Sequence, residues 1–170
     1  TIEQMLNLYN SSGILVVGEF HAVPSASPFN TDDRYFKRFL RELNDKPILT
    51  IEIGALNRWI TDVDQPFYGK IEDHRDIVAV ALECGIKVFA HGIRESNIVE
   101  RMRKEVELIR SNVINKHPNK KVIIYCGADH AEKEIGDFPY LLRDLKGVNS
   151  VVFSPPGNIH TYKTDLRIQL

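Results

Sequence analysis

The sequence predicts an α/β fold of three layers, with a mostly parallel β-sheet of about five strands and helices on both faces. Three observations predict it. Short apolar runs rich in β-branched residues recur along the chain, the first being Ile14-Leu15-Val16-Val17, opened by Ser12-Gly13 and closed by Gly18. Amphipathic helical segments separate these runs, and strands alternating with helices at this pace imply right-handed crossovers in a parallel sheet. Acidic and histidine residues then follow the strands, at the edge where open α/β sheets bind ligands.

Taken in order, residues 2–9 place Ile2, Met5, Leu6 and Tyr9 on one helical face, and Asn10-Ser11-Ser12-Gly13 ends that helix. After the first strand come Glu19 and His21, then the stretch from Ala22 to Asp32 with two prolines, which reads as a loop over the strand end. Thr31 or Asp32 is placed to cap a helix with a stripe of Tyr35, Phe36, Phe39, Leu40 and Leu43. Ile48 to Gly54 is the second strand, ending in Glu52, and residues 55–72 read as irregular. Asp73 is expected to cap a helix carrying Ile77, Val80, Ala81 and Cys84, with Gly85 ending it.

Ile86 to Ala90 is the third strand, followed by His91-Gly92-Ile93-Arg94. From Ser96 to about Asn115 runs the longest helix, with Ile98, Met102, Val106, Ile109 and Val113 as its apolar stripe and its charges on a solvated face. Lys120 to Cys126 is the fourth strand, closed by Gly127-Ala128-Asp129-His130. Phe138 to Gly147 reads as a helix with proline in its first turn. Val148 to Phe153 is the fifth strand, and Tyr162 to Ile168 is β-like.

The 170 residues suit one domain spanning 1–170, and a chain that opens on Thr1 is expected to be excised from a longer polypeptide. A formal net charge of −1 offers no global field for nucleic acid or anionic lipid. No apolar run approaches the ~20 residues of a membrane span, and no targeting signal precedes the first helix. Cys84 and Cys126 are too few for a disulfide scaffold and read as small buried hydrophobes. No Gly-x-Ser-x-Gly elbow, His-Glu-x-x-His helix or Walker lysine occurs in the sequence.

Four strands in succession thus release Glu19 with His21, Glu52, His91 with Arg94, and Asp129 with His130. One histidine near a core is more often structural, but four strands with the same pattern point to a site whose groups share one edge. Gly-x-x-His occurs twice directly after a strand, as Gly18-Glu19-Phe20-His21 and Gly127-Ala128-Asp129-His130, where glycine permits a sharp turn and close approach. His74 and His117, near helix ends, read as surface residues, and His160 after the fifth strand as a minor candidate.

These elements, with Gly85-Ile86 before His91 and Leu141-Leu142 after the second Gly-x-x-His, resemble the erythromycin esterase/ChaN-like superfamily, which includes Tiki and TraB-type proteins. The resemblance spans about residues 13–153 and is closest to compact domains of large bacterial toxins, such as the Ras-processing endopeptidase domain. It implies a bacterial effector domain, secreted to act in the host cytosol, that cuts a peptide bond in a host protein, by analogy a small GTPase. Glu19, His21, Glu52, His130 and His91 are its expected catalytic residues, and Arg94 and Asp129 its expected substrate-binding residues. The ChaN-like branch implies an alternative, a module that holds haem or a metal through Tyr or His, and an ester or amide metallohydrolase is a further one.

Two mechanisms fit the same residues. In one, no cofactor is present: a histidine acts as base on water, a glutamate orients it, and the other histidine with Arg94 stabilises an oxyanion. In the other, His21, His130 and Glu19 or Glu52 ligate a divalent metal that lowers the pKa of bound water from 15.7 to about 7. The metal-free chemistry is the preferred of the two, and both stay open on sequence alone.

Overall fold

The computed structural model describes residues 1–20, 31–63, 72–155 and 157–169; of residues 31–33, 72 and 73 it describes the backbone alone. Its centre is β1 (Ile14–Glu19), six residues that are all buried. β1 pairs in parallel with β5 (Val122–Gly127) on one side and β6 (Val148–Ser154) on the other. With β2 (Ile48–Glu52), β3 (Arg58–Ile60), β4 (Lys87–His91) and β7 (Leu166–Gln169), the sheet order is β3-β4-β2-β5-β1-β6-β7. Every pairing is parallel except β3 against β4.

The sheet has seven strands where about five were expected. The two additions are its edges. β7 completes the β-like segment near the chain end, and β3 lies in the stretch read as irregular. Three residues are too short for alternation to show in sequence, and β3 exists because Trp59 packs edge-on to Phe89 of β4 at 5.3 Å.

Both faces of the sheet are covered. Leu15, Val17, Leu49, Ile51, Ile123 and Tyr125 face a core shared with α1 (Ile2–Asn10), α2 (Thr31–Glu42) and α3 (Glu72–Glu83). The alternate residues, among them Val16, Ile48, Phe89, Ile124 and Cys126, face α4 (Ile98–Ile109) and α5 (Phe138–Leu141). Period-two alternation therefore decides which helices a strand residue meets. Thr1 caps α1 through a capping box with Gln4, and Gly85 follows α3 at φ +74°, where a residue with Cβ is strained.

Several boundaries differ from expectation. α3 begins at Glu72, so Asp73 lies inside its first turn rather than at its cap. α4 starts after Asn97, whose side chain accepts from the amides of Val99 and Glu100, and continues into a π-helical turn over Arg110–Ile114. α5 is four residues long, not ten. Arg110 donates to the Leu141 carbonyl at 2.9 Å, taking an acceptor that a longer helix would need for itself. The apolar stripe of α4 also shifts: Ile98 is half-exposed, while Glu105 is fully buried beside Met102, Val106 and Ile109.

Candidate functional site

Glu19, Glu52, His91 and His130 all lie at the C-terminal edge of the sheet, as expected, but on two faces of it. His21 lies outside the described residues. In β1, Glu19 shares the parity of Leu15 and Val17 and so belongs to the face of α1, α2 and α3. Glu52 and His91 share the parity of Ile48 and Phe89 and belong to the α4 face. Carboxylates from both faces bear on Cys126, whose thiol is pushed well up by burial first and then by Glu52, Glu19, Glu105 and Asp137. That thiol donates weakly to the Val17 carbonyl at 3.7 Å and is not a nucleophile.

On the first face, Glu19 is 2 % exposed and each carboxylate oxygen has a partner. The Tyr125 hydroxyl donates to Oε2 at 3.0 Å, and His74 Nε2 stands 3.2 Å from Oε1. His74 is thus not the surface residue expected from its place near a helix start. It packs edge-on to the Tyr125 ring at 5.6 Å, which is itself stacked on Phe36 at 4.4 Å.

On the second face, register alone brings two groups together: Glu52 and His91 are paired positions of adjacent parallel strands. α4 adds Glu105 from above. One ligand atom from each of the three lies within 4.8 Å of the others. His91 and Glu105 are both fully buried, and neither ring nitrogen of His91 nor either oxygen of Glu105 has a partner in hydrogen-bond geometry among the described residues. Burial pushes the His91 pKa down to about 3, so the ring is neutral. Burial, then the charge of Glu52, raises Glu105 to about 7, against the opposing pull of Arg101 and the Ile93 backbone.

Arg101 links this cluster to His130. Its Nε lies 3.9 Å from Glu105 Oε1 and its Nη2 lies 3.3 Å from His130 Nε2. Because guanidinium only donates, this contact makes Nε2 the acceptor and leaves the ring proton on Nδ1, which faces Asp137 Oδ1 at 3.9 Å. His130 sits in a 3₁₀ turn, Ala128–His130, that packs against β1. A Cβ on Gly18 would stand 2.7 Å from the Ala131 Cβ and 2.9 Å from the Ala128 Cα. The first Gly-x-x-His glycine therefore serves close packing within the chain, whereas Gly127 has φ −63°, a backbone conformation that does not itself require glycine.

The remaining candidates stand apart. Arg94 is exposed and borders an open groove with Gly92 and Lys104, and Asp129 is exposed on the 3₁₀ turn. His117 packs edge-on to Trp59 at 5.6 Å, and His160 is 3.5 Å from Glu132. The expected metal set of His21, His130 and Glu19 includes His21, which lies outside the described residues; the described residues supply a different trio, Glu52, His91 and Glu105. Glu105, Arg101, Tyr125, Asp137 and His74 are the residues that sequence reasoning missed. Glu105 alone had a signal, a carboxylate three residues from Met102 and four from Ile109 on the buried stripe.

No protein-family model and no curated protein matches this sequence. Two solved structures resemble it over nearly its whole length. One, showing cofacial heme binding to ChaN of Campylobacter jejuni, is 14 % identical with a TM-score of 0.60, over 96 % of this chain and 89 % of that one. The other, the type III effector HopBA1, is 13 % identical with a TM-score of 0.61, over 99 % of this chain and 92 % of that one. The chain shares their fold. At these identities the likeness establishes architecture, and the chemistry rests on the side chains above. No helix among the described residues is long and apolar enough to cross a membrane.

Proposed function

We propose that this chain is a hydrolase of the effector type, cutting a peptide bond in a host protein with water activated at the C-terminal edge of the sheet. The observation that carries the reading is His130 beside Arg101, whose guanidinium stands 3.3 Å from Nε2 and fixes it as the acceptor nitrogen, with the Asp137 carboxyl 3.9 Å from Nδ1. An imidazole fixed in one tautomer is what a general base needs, and the neighbouring guanidinium is placed to receive the oxyanion.

In the proposed step, His130 Nε2 takes a proton from water as the hydroxide adds to the scissile carbonyl carbon. Arg101, displaced from Nε2, faces the oxyanion, and collapse breaks the C–N bond while His130 returns the proton to the leaving amine. Glu19, Glu52, His21 and His91 complete the catalytic group, and the exposed Arg94 and Asp129 hold the substrate. The fold shared with a type III effector supports the effector setting, and a small GTPase is the first substrate to try.

The test is incubation of the purified chain with host small GTPases and then with host-cell lysate, reading new protein termini by mass spectrometry. Cleavage by the wild type that His130→Ala and Glu52→Gln abolish, in folded protein, is the expected result; a wild type that cuts nothing overturns the reading.

A second reading, a haem-binding module, is favoured by one surface feature. His160 is half-exposed and follows Ile159, which is 96 % exposed, so an imidazole ligand stands beside apolar surface. A Soret shift on adding haem that His160→Ala removes would support it.

A further inference from the structure

We propose that Glu52, His91 and Glu105 form a binding site for one divalent transition-metal ion. Two observations carry this independently of the hydrolase reading. The first is geometric: the trio supplies three ligand atoms, all within 4.8 Å of one another, from two adjacent strand ends and the helix above them. The second is an unmet demand. His91 is fully buried with both ring nitrogens lacking a hydrogen-bond partner among the described residues, and Glu105, equally buried, has only a long ion pair to Arg101 at 3.9 Å and the pull of the Ile93 backbone. Buried polar groups are ordinarily satisfied, and a buried carboxylate is held by pairing or by a metal.

Packing meets that demand only in part. His91 contacts the Phe138 ring edge-on at 5.8 Å, which offers its nitrogens no hydrogen bond, and Arg101 pairs with Glu105 at a long 3.9 Å without reaching His91. A divalent ion would satisfy the imidazole and offset both carboxylate charges at once. The strand ends are also held in place. The Ile53 amide donates to the His91 carbonyl at 3.0 Å, and the Gly92 amide donates to Asn57 Oδ1 at 3.1 Å. A Cβ on Gly92 would collide with the Gly54 carbonyl, so the two backbones meet as closely as glycine allows.

The donor set chooses among ions. One neutral imidazole with two carboxylates suits zinc, manganese or iron, whereas magnesium and calcium prefer oxygen alone. Three protein ligands leave at least one position for water or a substrate oxygen.

The experiment uses the chain stripped with chelator and then given Zn²⁺, Mn²⁺ or Mg²⁺ alone, read by calorimetric titration and thermal unfolding. Zn²⁺ and Mn²⁺ should each bind at one equivalent and raise Tm by about 5 °C or more at roughly a hundredfold excess over Kd, with Mg²⁺ far weaker. His91→Ala and Glu105→Gln should lose that equivalent; Glu52→Gln, at a half-buried strand end, serves the same purpose should a buried substitution unfold the chain. Pulsed EPR of the Mn²⁺ form should show a nitrogen coupling that His91→Ala removes. Absence of a stoichiometric ion, or an equivalent retained by folded variants of the trio, overturns the proposal. Loss of cleavage activity is not used as a readout, so failure of the hydrolase reading leaves this test intact.

Discussion

Tyr125 donates its hydroxyl to Glu19 Oε2 at 3.0 Å between adjacent strands, fixing the carboxylate that ends the central strand. A buried hydrogen bond to a charged acceptor contributes about 1.5–3 kcal/mol. Tyr125→Phe should therefore lower unfolding free energy by about that amount while keeping the ring stack on Phe36. Urea denaturation checks it, and an unchanged midpoint would show that the hydroxyl does not hold Glu19.

Gly18→Ala tests the packing of the 3₁₀ turn on β1. The added methyl meets Ala131 and Ala128 backbone and side-chain atoms that have little room to move. A loss of about 1–3 kcal/mol is expected from overpacking, accompanied by displacement of His130. Thermal unfolding and the His130 imidazole NMR signals are the readouts.

Asp137 predicts a pH dependence. Burial first, then Glu132, Glu134 and Asp129, raise its carboxyl from 3.8 to about 7. The fold thus retains a proton that the unfolded chain releases near pH 4. The stability this group contributes is complete below that pH and is lost as pH rises through about 7. Asp137→Asn keeps the group neutral throughout, so wild-type stability should fall relative to the variant between pH 4 and pH 7. Denaturant midpoints across that range decide it; parallel curves would count against the raised carboxyl.

Cys126 should prove chemically silent. It is 2 % exposed and its thiol is pushed up by burial and four carboxylates, so the thiolate is scarce at neutral pH. Mass spectrometry after alkylation of the folded chain should find Cys126 unmodified, and Cys126→Ala should retain any hydrolytic activity found. Rapid modification at Cys126 would reopen a cysteine mechanism.

Glu19 and His130 separate reaction from folding. Glu19→Gln keeps an acceptor oxygen for Tyr125 and presents an amide NH2 to His74 Nε2, which accepts it in the other tautomer, and His130→Ala trims a partly exposed side chain, so circular dichroism should stay native. Activity should fall about 100-fold or more in His130→Ala, the range general-base removal costs. Unfolding of either variant would favour a structural role.

Hydrophobic periodicity by itself determined the α/β class, the parallel strands and the strand-end positions of Glu19, Glu52, His91 and His130. Apolar runs and amphipathic stripes are local properties, and a parallel sheet sends every strand's last residues to one edge. The edge strands β3 and β7 were only partly legible, because pairing with a neighbour rather than their own pattern makes them strands. Tertiary structure alone decided the grouping. Strand parity sends Glu19 towards α3 and His74, and sends Glu52 and His91 towards α4, where Glu105 and Arg101 complete the set. A helix's rotation over a sheet depends on packing summed over many residues, so which charged side chain it turns inward is settled by the core and not by its own sequence.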